Sequence, residues 1–417
     1  MKIPNGWKKV QFGDVVNKIN DKVSNRDEWT FDRFIGGQHF DEGEIRVTRS
    51  APIEGNEEVI GPAFNMRFKP EQVLYVTRNP RLRKGGMVDF EGVCSNVSFV
   101  METKSEQLLQ SLLPFVIQTE DFVKHTCNNA HGSTNPFLNW KDIAKYEFLL
   151  PPIDEQKKIN EILWALEENI KLLQIIQKQR MHISERLLNK LIKEGIKPNK
   201  IQKTKFGEIS IDHQIYTIQE LLDNKSILSH LDGNHGGLYP KADEFISSGI
   251  KYLSATMIID GKMDLSLSKY LSEERAKKFT KGVSRNEDVL LAHNAVVGPS
   301  AILKTNEEYV ILGTSLTYFR CDSKKICNRY LLYYFRSKIF QNQLDSVMKQ
   351  STRNQVPITT QRKLSIILPK IEQQVKIADI LDKIYNNHYS IKRSILSLKG
   401  LRNKLSNELL KGELRLD

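Results

Sequence analysis

LPPIDEQKKINEIL, residues 150–163, recurs without a gap as LPKIEQQVKIADIL, residues 368–381, with every position displaced by 218. A self-match of this length signals duplicated architecture. The same displacement pairs Ser133 and Thr134 with Ser351 and Thr352, Ile35 with Leu253, Gly43 with Gly261, and Lys193 with Lys411. The duplicated unit is therefore half the chain. Between these anchors the register slips. VLYVTRN (73–79) aligns with VLLAHNA (289–295), and CSNVSFV (94–100) with GTSLTYF (313–319). The remainder diverges freely, and a shared frame with different filling suits one task performed on two targets.

A chain of 417 residues is long enough for two globular domains, each with its own core. Cys94, Cys127, Cys321 and Cys327 make no CxxC pair and no framework spacing, which points to a reducing compartment, with the cytoplasm expected. The start MKIPNGWKKV has no apolar h-region, and no apolar run approaches the roughly 20 residues of a membrane helix. A soluble protein with no membrane partner is expected. The net charge is +12, distributed as −1 over 1–150, +3 over 151–200, +6 over 201–367 and +4 over 368–417. A pI near 9.3 without a basic tail fits a phosphate-bearing partner such as double-stranded DNA, although ordinary soluble proteins reach it too.

The pattern predicts an α+β chain in four parts. Residues 1–150 alternate β-branched and aromatic runs with turns such as RNPRLRKGG and NNAHGSTNP, which reads as a mixed domain. Residues 151–200 read as a long helix and linker, with Asp154 as N-cap and Gly195 and Pro198 as stops. A second mixed domain occupies 201–367, and a second long helix 368–417. In that helix Ile377, Leu381, Ile384, His388, Ile391, Ile395, Leu398, Arg402, Leu405 and Leu409 alternate steps of four and three, the coiled-coil spacing. The matching positions of the first helix are Ile159, Leu163, Leu166, Ile170, Leu173, Gln177, Arg180, Ser184, Leu187 and Leu191. Its polar middle predicts a stripe displaced onto Ile176 and Ile183. About 40 residues make a rod of about 60 Å. Two such rods packed antiparallel would turn the tandem repeat into an object with pseudo-two-fold symmetry; the alternative is two helices each packed on its own domain.

This organisation resembles the specificity subunit of type I restriction-modification systems over the whole chain. The resemblance rests on LPPIDEQKKI with LPKIEQQVKI, the upstream loops GSTNPFLNWKDI and QSTRNQVPITTQ, the opening GWKKVQFGDV with its weaker echo HQIYTIQELL, and the closing LLKGEL. Lys370 and Gln373 stand where the first copy has Pro152 and Glu155, which predicts a weaker cap on the second helix. The resemblance implies two target recognition domains, each reading one half of a split DNA site, and helices that act as spacer and docking surface for two methyltransferase (modification) subunits. Through these the restriction and translocase subunits would join. Adenine methylation requires a flipped base, and its S-adenosylmethionine, like ATP and Mg, is expected on the partners. Two other readings are a specificity subunit of a related class that recognises bipartite sites and a coiled-coil assembly adaptor that binds no DNA.

The chain itself offers little chemistry. Asn135-Pro136-Phe137 lacks the second proline of a methyltransferase motif, no G-x-G occurs, and there is no P-loop. Asp89 with Glu102 and Lys104 imitates a metal-dependent nuclease at chance level, and the sets His125, Cys127, His131 and His230, His235 fall short of a ligand quartet. No catalytic and no metal residue is assigned. DNA-contact candidates follow by type and context. Arg78, Asn79, Arg81, Arg83 and Lys84 concentrate four cations beside two glycines, where arginine suits phosphate or guanine and asparagine adenine; the alternative is a solvated turn. Ser133, Thr134 and Asn135, with Ser351, Thr352, Arg353, Asn354 and Gln355, offer hydroxyls and amides at the same place in both halves, as would a simple Ser/Thr turn. His293 and Asn294 align with Thr77 and Arg78, and Lys241 follows a glycine pair.

Overall fold

The structure, a computed structural model, describes residues 3–104, 107–197, 200–349 and 354–416. It divides into two compact units, Met1–Ile176 with Ile391–Asp417, and Gln177–Ser390. Each unit holds one mixed domain together with part of each long helix.

The strands of the first unit are β1 (Lys8–Gln11), β2 (Val16–Ile19), β3 (Arg33–Ile35), β4 (Ala51–Pro52), β5 (Phe64–Phe68), β6 (Val73–Val76), β7 (Gly85–Met87), β8 (Gly92–Ser95), β9 (Ser98–Thr103) and β10 (Glu147–Leu150). They form two four-stranded sheets, β2-β9-β6-β7 and β4-β3-β8-β5, and the pair β1-β10. The second unit has the linker hairpin β11 (Ile201–Thr204) and β12 (Gly207–Ser210), then β13 (Gln214–Thr217), β14 (Ile227–Asp232), β15 (Ile250–Leu253), β16 (Ile258–Ile259), β17 (Lys262–Met263), β18 (Lys269–Leu271), β19 (Val283–Ser284), β20 (Val289–Asn294), β21 (Val296–Ile302), β22 (Val310–Leu312), β23 (Leu316–Cys321) and β24 (Ser365–Leu368). Its sheets β14-β23-β20-β21 and β18-β15-β22-β19, with the pair β13-β24, copy the first unit strand for strand. Even the parallel pairs, β3 with β8 and β15 with β22, correspond.

The central strands explain why this pattern is readable. In β6, Leu74 and Val76 enter one apolar cluster while Val73 and Tyr75 enter another; in β20, Leu290 and Ala292 face one cluster and Val289 and Leu291 another. Side chains alternate with period two, and both faces are covered. The ladders also correct one alignment. Val73 lies opposite Met101 and Val289 opposite Phe319, so Met101, not Val100, is the counterpart of Phe319. Ile35 opposite Cys94 and Leu253 opposite Leu312 agree, restoring the displacement of 218. Apolar runs slide by one residue unnoticed in a sequence, whereas pairing decides which face each side chain takes.

The first long helix is Ile153–Glu194 and the second Ile371–Leu410. Asp154 is thus inside the first turn, where an acid favours the helix N-terminus, and is not the cap. Gly195 stops the first helix with φ +76°, and Gly412 follows the second with φ +69°; Pro198 lies outside the described residues. In the first unit the seam residues Ile159, Leu163, Ile170, Ile395 and Leu409 are buried, and Leu166, Leu173, Ile391, Leu398 and Leu405 half-buried. In the second, Leu191, Ile377 and Leu381 are buried and Leu187 and Ile384 half-buried. Within each unit the two segments run antiparallel. Arg402 pairs with Glu167 in the first unit, both out of solvent, and Ser184 Oγ lies 2.7 Å from His388 Nε2 in the second. These polar pairs overturn the displaced stripe, since Ile176 and Ile183 are 43% and 62% exposed. At the seam positions Ser184 and Arg402 the polar side chains are buried with partners, whereas Arg180 in the middle of the first helix is exposed.

The repeated block also fastens domain to helix. Gln156 and Gln374 are fully buried. Gln156 Nε2 donates to the carbonyls of Pro151 (2.9 Å) and Gln107 (2.6 Å), and its Oε1 accepts from the Leu109 amide (3.0 Å). Gln374 Nε2 donates to Pro369 (2.8 Å) and Lys325 (3.1 Å), and its Oε1 accepts from Cys327 (2.9 Å). Every partner obeys the same displacement. Near the other helix end, Asn407 Oδ1 accepts from the Glu120 amide (2.7 Å) and Asn189 Oδ1 from Lys338 (3.0 Å), again 218 apart. Glu155 serves a different purpose from a cap, accepting from Trp7 Nε1 (2.9 Å) and pairing with Arg415 (2.9 Å). The second helix begins at Ile371 even with Gln373 in its place.

Candidate nucleic-acid interface

In each unit the strand that ends the apolar run of the core carries a loop, and a second loop from farther along the chain is bonded to it. In the first unit Leu138 N donates to Thr77 O (3.1 Å) and Asn79 N to Pro136 O (2.7 Å). Asn79 Nδ2 donates to Asn135 Oδ1 (2.8 Å), and the Arg78 guanidinium lies over the Phe137 ring at 5.9 Å. In the second unit Val356 N donates to His293 O (2.9 Å) and Ala295 N to Asn354 O (3.0 Å), with Asn294 bridged to Gln355. Asn79 and Ala295, which correspond, both take left-handed backbone (φ +51° and +63°). The two candidate loops of each half, far apart in sequence, therefore meet with one hydrogen-bonding scheme.

The side chains presented there differ. Arg78, Arg81, Ser133, Thr134 and Asn135 are exposed and Asn79 half-buried. Arg83 and Lys84 are half-buried and engaged within the domain. Arg83 pairs with Glu120 at 2.6 Å, holding that carboxyl below its usual range, and Lys84 Nζ donates to Gly37 O (2.7 Å). Arg83 also adopts φ +48°, unusual for a side-chain-bearing residue. His131 Nε2 lies 2.9 Å from Asp142 Oδ2 and closes the second loop. Burial would raise the Asp142 carboxyl, but the Asn139 amide and the His131 ring together hold it low.

In the second unit Asn354 is exposed and Asn294 and Gln355 half-buried. His293 is 1% exposed, its Nδ1 3.2 Å from Val356 O, so it supports the loop from beneath and is not a surface contact. Burial lowers its affinity for a proton. Lys241 stands in a separate turn whose amide donates to Glu244 (2.7 Å). Ser351, Thr352 and Arg353 lie outside the described residues.

Sequence reasoning missed a buried network under this loop. Gln361 Oε1 receives Thr317 Oγ1 (3.1 Å) and lies 3.1 Å from His230 Nε2, while its Nε2 donates to Val356 O (2.9 Å). Burial drives the His230 pKa down to about 3. The position matching Gln361 in the first unit is Ile143, fully buried, so no repeat signal marked the network. Glu102 accepts from Gln72 Nε2 (2.7 Å) and Lys104 donates to Gly13 O, so both serve the first domain's own bonding. Among the described residues no three His, Cys, Asp or Glu cluster as metal ligands.

A family model described as the type I restriction modification DNA specificity domain matches the chain twice, over residues 4–182 and 214–399. The specificity subunit of type I restriction enzyme MjaVIII from Methanocaldococcus jannaschii is 26% identical over 337 residues, 78% of this chain and 75% of that protein. The EcoBI specificity subunit of Escherichia coli is 23% identical over 289 residues, 68% and 60% of the two chains. Two solved structures share the fold. A chain from a study of complex assembly and conformational transition of the type I R-M system gives a TM-score of 0.57 at 17% identity, covering 99% of this chain and 100% of that one. The type I restriction-modification S subunit from M. genitalium gives 0.55 at 12%, covering 98% of each. With both family matches falling on the duplicated halves, the chain belongs to the type I restriction modification DNA specificity family and is a DNA specificity subunit.

Proposed function

We propose that the first unit reads one half and the second unit the other half of an asymmetric split DNA site, and that the chain places two methyltransferase subunits on that site. The observation that carries this reading is the duplicated loop pair: one backbone scheme presents Arg78, Asn79 and Asn135 in one unit and Asn294, Asn354 and Gln355 in the other. A common frame sets how a duplex is approached, and different side chains set which bases are accepted. Exposed apolar side chains on the first long helix, Leu172 and Ile175 in the first unit and Met181 and Ile183 in the second, support a protein-docking role. The chain is non-catalytic in this reading. S-adenosylmethionine, ATP and Mg belong to the methyltransferase and to the restriction subunits that join through it, and the complex works in the cytoplasm.

The test is methylome sequencing of cells expressing the chain with its modification subunit. A split motif with modified adenines on both strands is expected. Arg78→Ala should alter occupancy of one half-site and Gln355→Ala of the other. Absence of any motif with the wild-type pair, in spite of a stable complex, would overturn the reading in favour of an assembly adaptor.

A further inference from the structure

The second unit contains an open groove of about 760 Å³ away from the loop pair. Arg186 and Lys193 of the first long helix line one side, and Lys338, Asn342 and Ser346, spaced one turn apart on the helix Lys338–Met348, line the other. Lys205, at the tip of the β11–β12 hairpin, projects into it and donates to Ser365 Oγ at 2.8 Å. Among the described lining residues Glu185 is the sole carboxylate; it pairs with Lys338 at 3.0 Å. Four cations thus face one anion.

The same place in the first unit is neutralised. Glu120 stands for Lys338, Asp121 for Ile339 and Glu147 for Ser365. Lys411, the counterpart of Lys193, pairs with Asp121 at 3.0 Å; Glu120 pairs with Arg83 at 2.6 Å and Glu147 with Lys9 at 2.6 Å. Lys205 belongs to the hairpin of the linker that joins the two halves. The duplicated scaffold therefore carries surplus positive charge on one side only.

The helix Lys338–Met348 that lines the groove leads into the segment ending at Asn354 and Gln355, the loop of the DNA-facing pair. At 1.5 Å per residue its 11 residues form a wall about 16 Å long. Resting on the DNA-reading function above, we propose that the groove holds the sugar-phosphate backbone flanking the half-site read by the second unit, a contact without counterpart in the first. Clustered like charges repel, and a phosphate chain offsets that repulsion while releasing its counterions. The contact adds affinity on one side of the split site and no sequence information.

The experiment uses the full chain in complex with its modification subunits, titrated across salt concentrations onto a duplex carrying the site found by methylome sequencing. Losing two phosphate contacts in Arg186→Ala/Lys338→Ala should reduce the slope of log affinity against log salt by about 1.8, at about 0.9 per contact. With both proteins equal at 1 M salt, the variant should bind about 60-fold more weakly at 0.1 M. Its methylated motif should be unchanged, and Arg186→Lys/Lys338→Arg should restore the wild-type slope. An unchanged slope in the alanine variant, with sequence-specific binding intact, would overturn the proposal. Salt-sensitive loss of modification subunits with that unchanged slope would overturn it in favour of an acidic protein segment. Lack of sequence-specific binding by the wild-type complex would instead overturn the DNA-reading function, and this proposal with it.

Discussion

Replacing Gln156 by alanine should loosen the junction between the first domain and its helix while leaving the second unit intact. The side chain is wholly buried and makes three hydrogen bonds, donating to the Pro151 and Gln107 carbonyls and accepting from the Leu109 amide. A neutral hydrogen bond contributes about 1 kcal/mol net, and a buried group left without its partner costs about 1–3 kcal/mol. Three bonds therefore place the loss at about 3 kcal/mol, with the orphaned Leu109 amide the largest share. At 1.4 kcal/mol per tenfold this is about a 100-fold change in the local opening equilibrium. Hydrogen exchange followed residue by residue reads it directly. Protection of the Leu109 amide and of the first turn after Pro152 should fall about 100-fold, whereas Cys327, held by Gln374, keeps its protection. Gln374→Ala should give the reverse pattern. Unchanged protection at Leu109, or equal loss at both junctions, would refute the inference that each glutamine fastens its own unit.

Arg402→Ala leaves Glu167 buried without its cation, which should cost about 3–5 kcal/mol, whereas Glu167→Leu/Arg402→Met should recover most of it; thermal denaturation of the three proteins distinguishes these outcomes. His230 has a pKa lowered by burial from 6.5 to about 3, so the unfolded chain takes up a proton that the folded one refuses. Its contribution is complete above about pH 6.5 and is lost progressively as pH falls toward 3; urea midpoints measured over that range should vary less in His230→Leu than in wild type, and an equal or steeper dependence contradicts this. Gly195→Ala forces a side chain onto φ +76° with its Cβ 2.3 Å from Gln373 Nε2, so it should destabilise the second unit by more than about 1 kcal/mol in chemical denaturation.

What could be read in the sequence follows from how local each signal is. The two long helices, the Gly195 stop of the first and the fifteen apolar seam positions rest on signals within one segment, and every one of those seam side chains is buried or half-buried. The aligned turns at Thr77-Arg78 and His293-Asn294 were recognisable because β6 and β20 repeat the same apolar run. The standing of individual side chains in them was not recognisable. Arg83 and Lys84 look as free as Arg81 until Glu120 and the Gly37 carbonyl are placed beside them. His293 reads as a surface polar residue until Val356 closes over it.

The sequence by itself determined the duplication, the α+β class, the paired helices and a basic balance suited to DNA, since each is carried by residue type and spacing along the chain. Only the tertiary structure decided that Gln156 and Gln374 are clamps, that Asn79 meets Asn135, that polar residues remain in the helix seam, and that surplus charge gathers at Arg186, Lys193, Lys205 and Lys338. These depend on hydrogen bonds and Coulomb contacts among groups tens to hundreds of residues apart. Packing of the intervening chain sets the distances between such groups, and one-dimensional spacing carries no record of them.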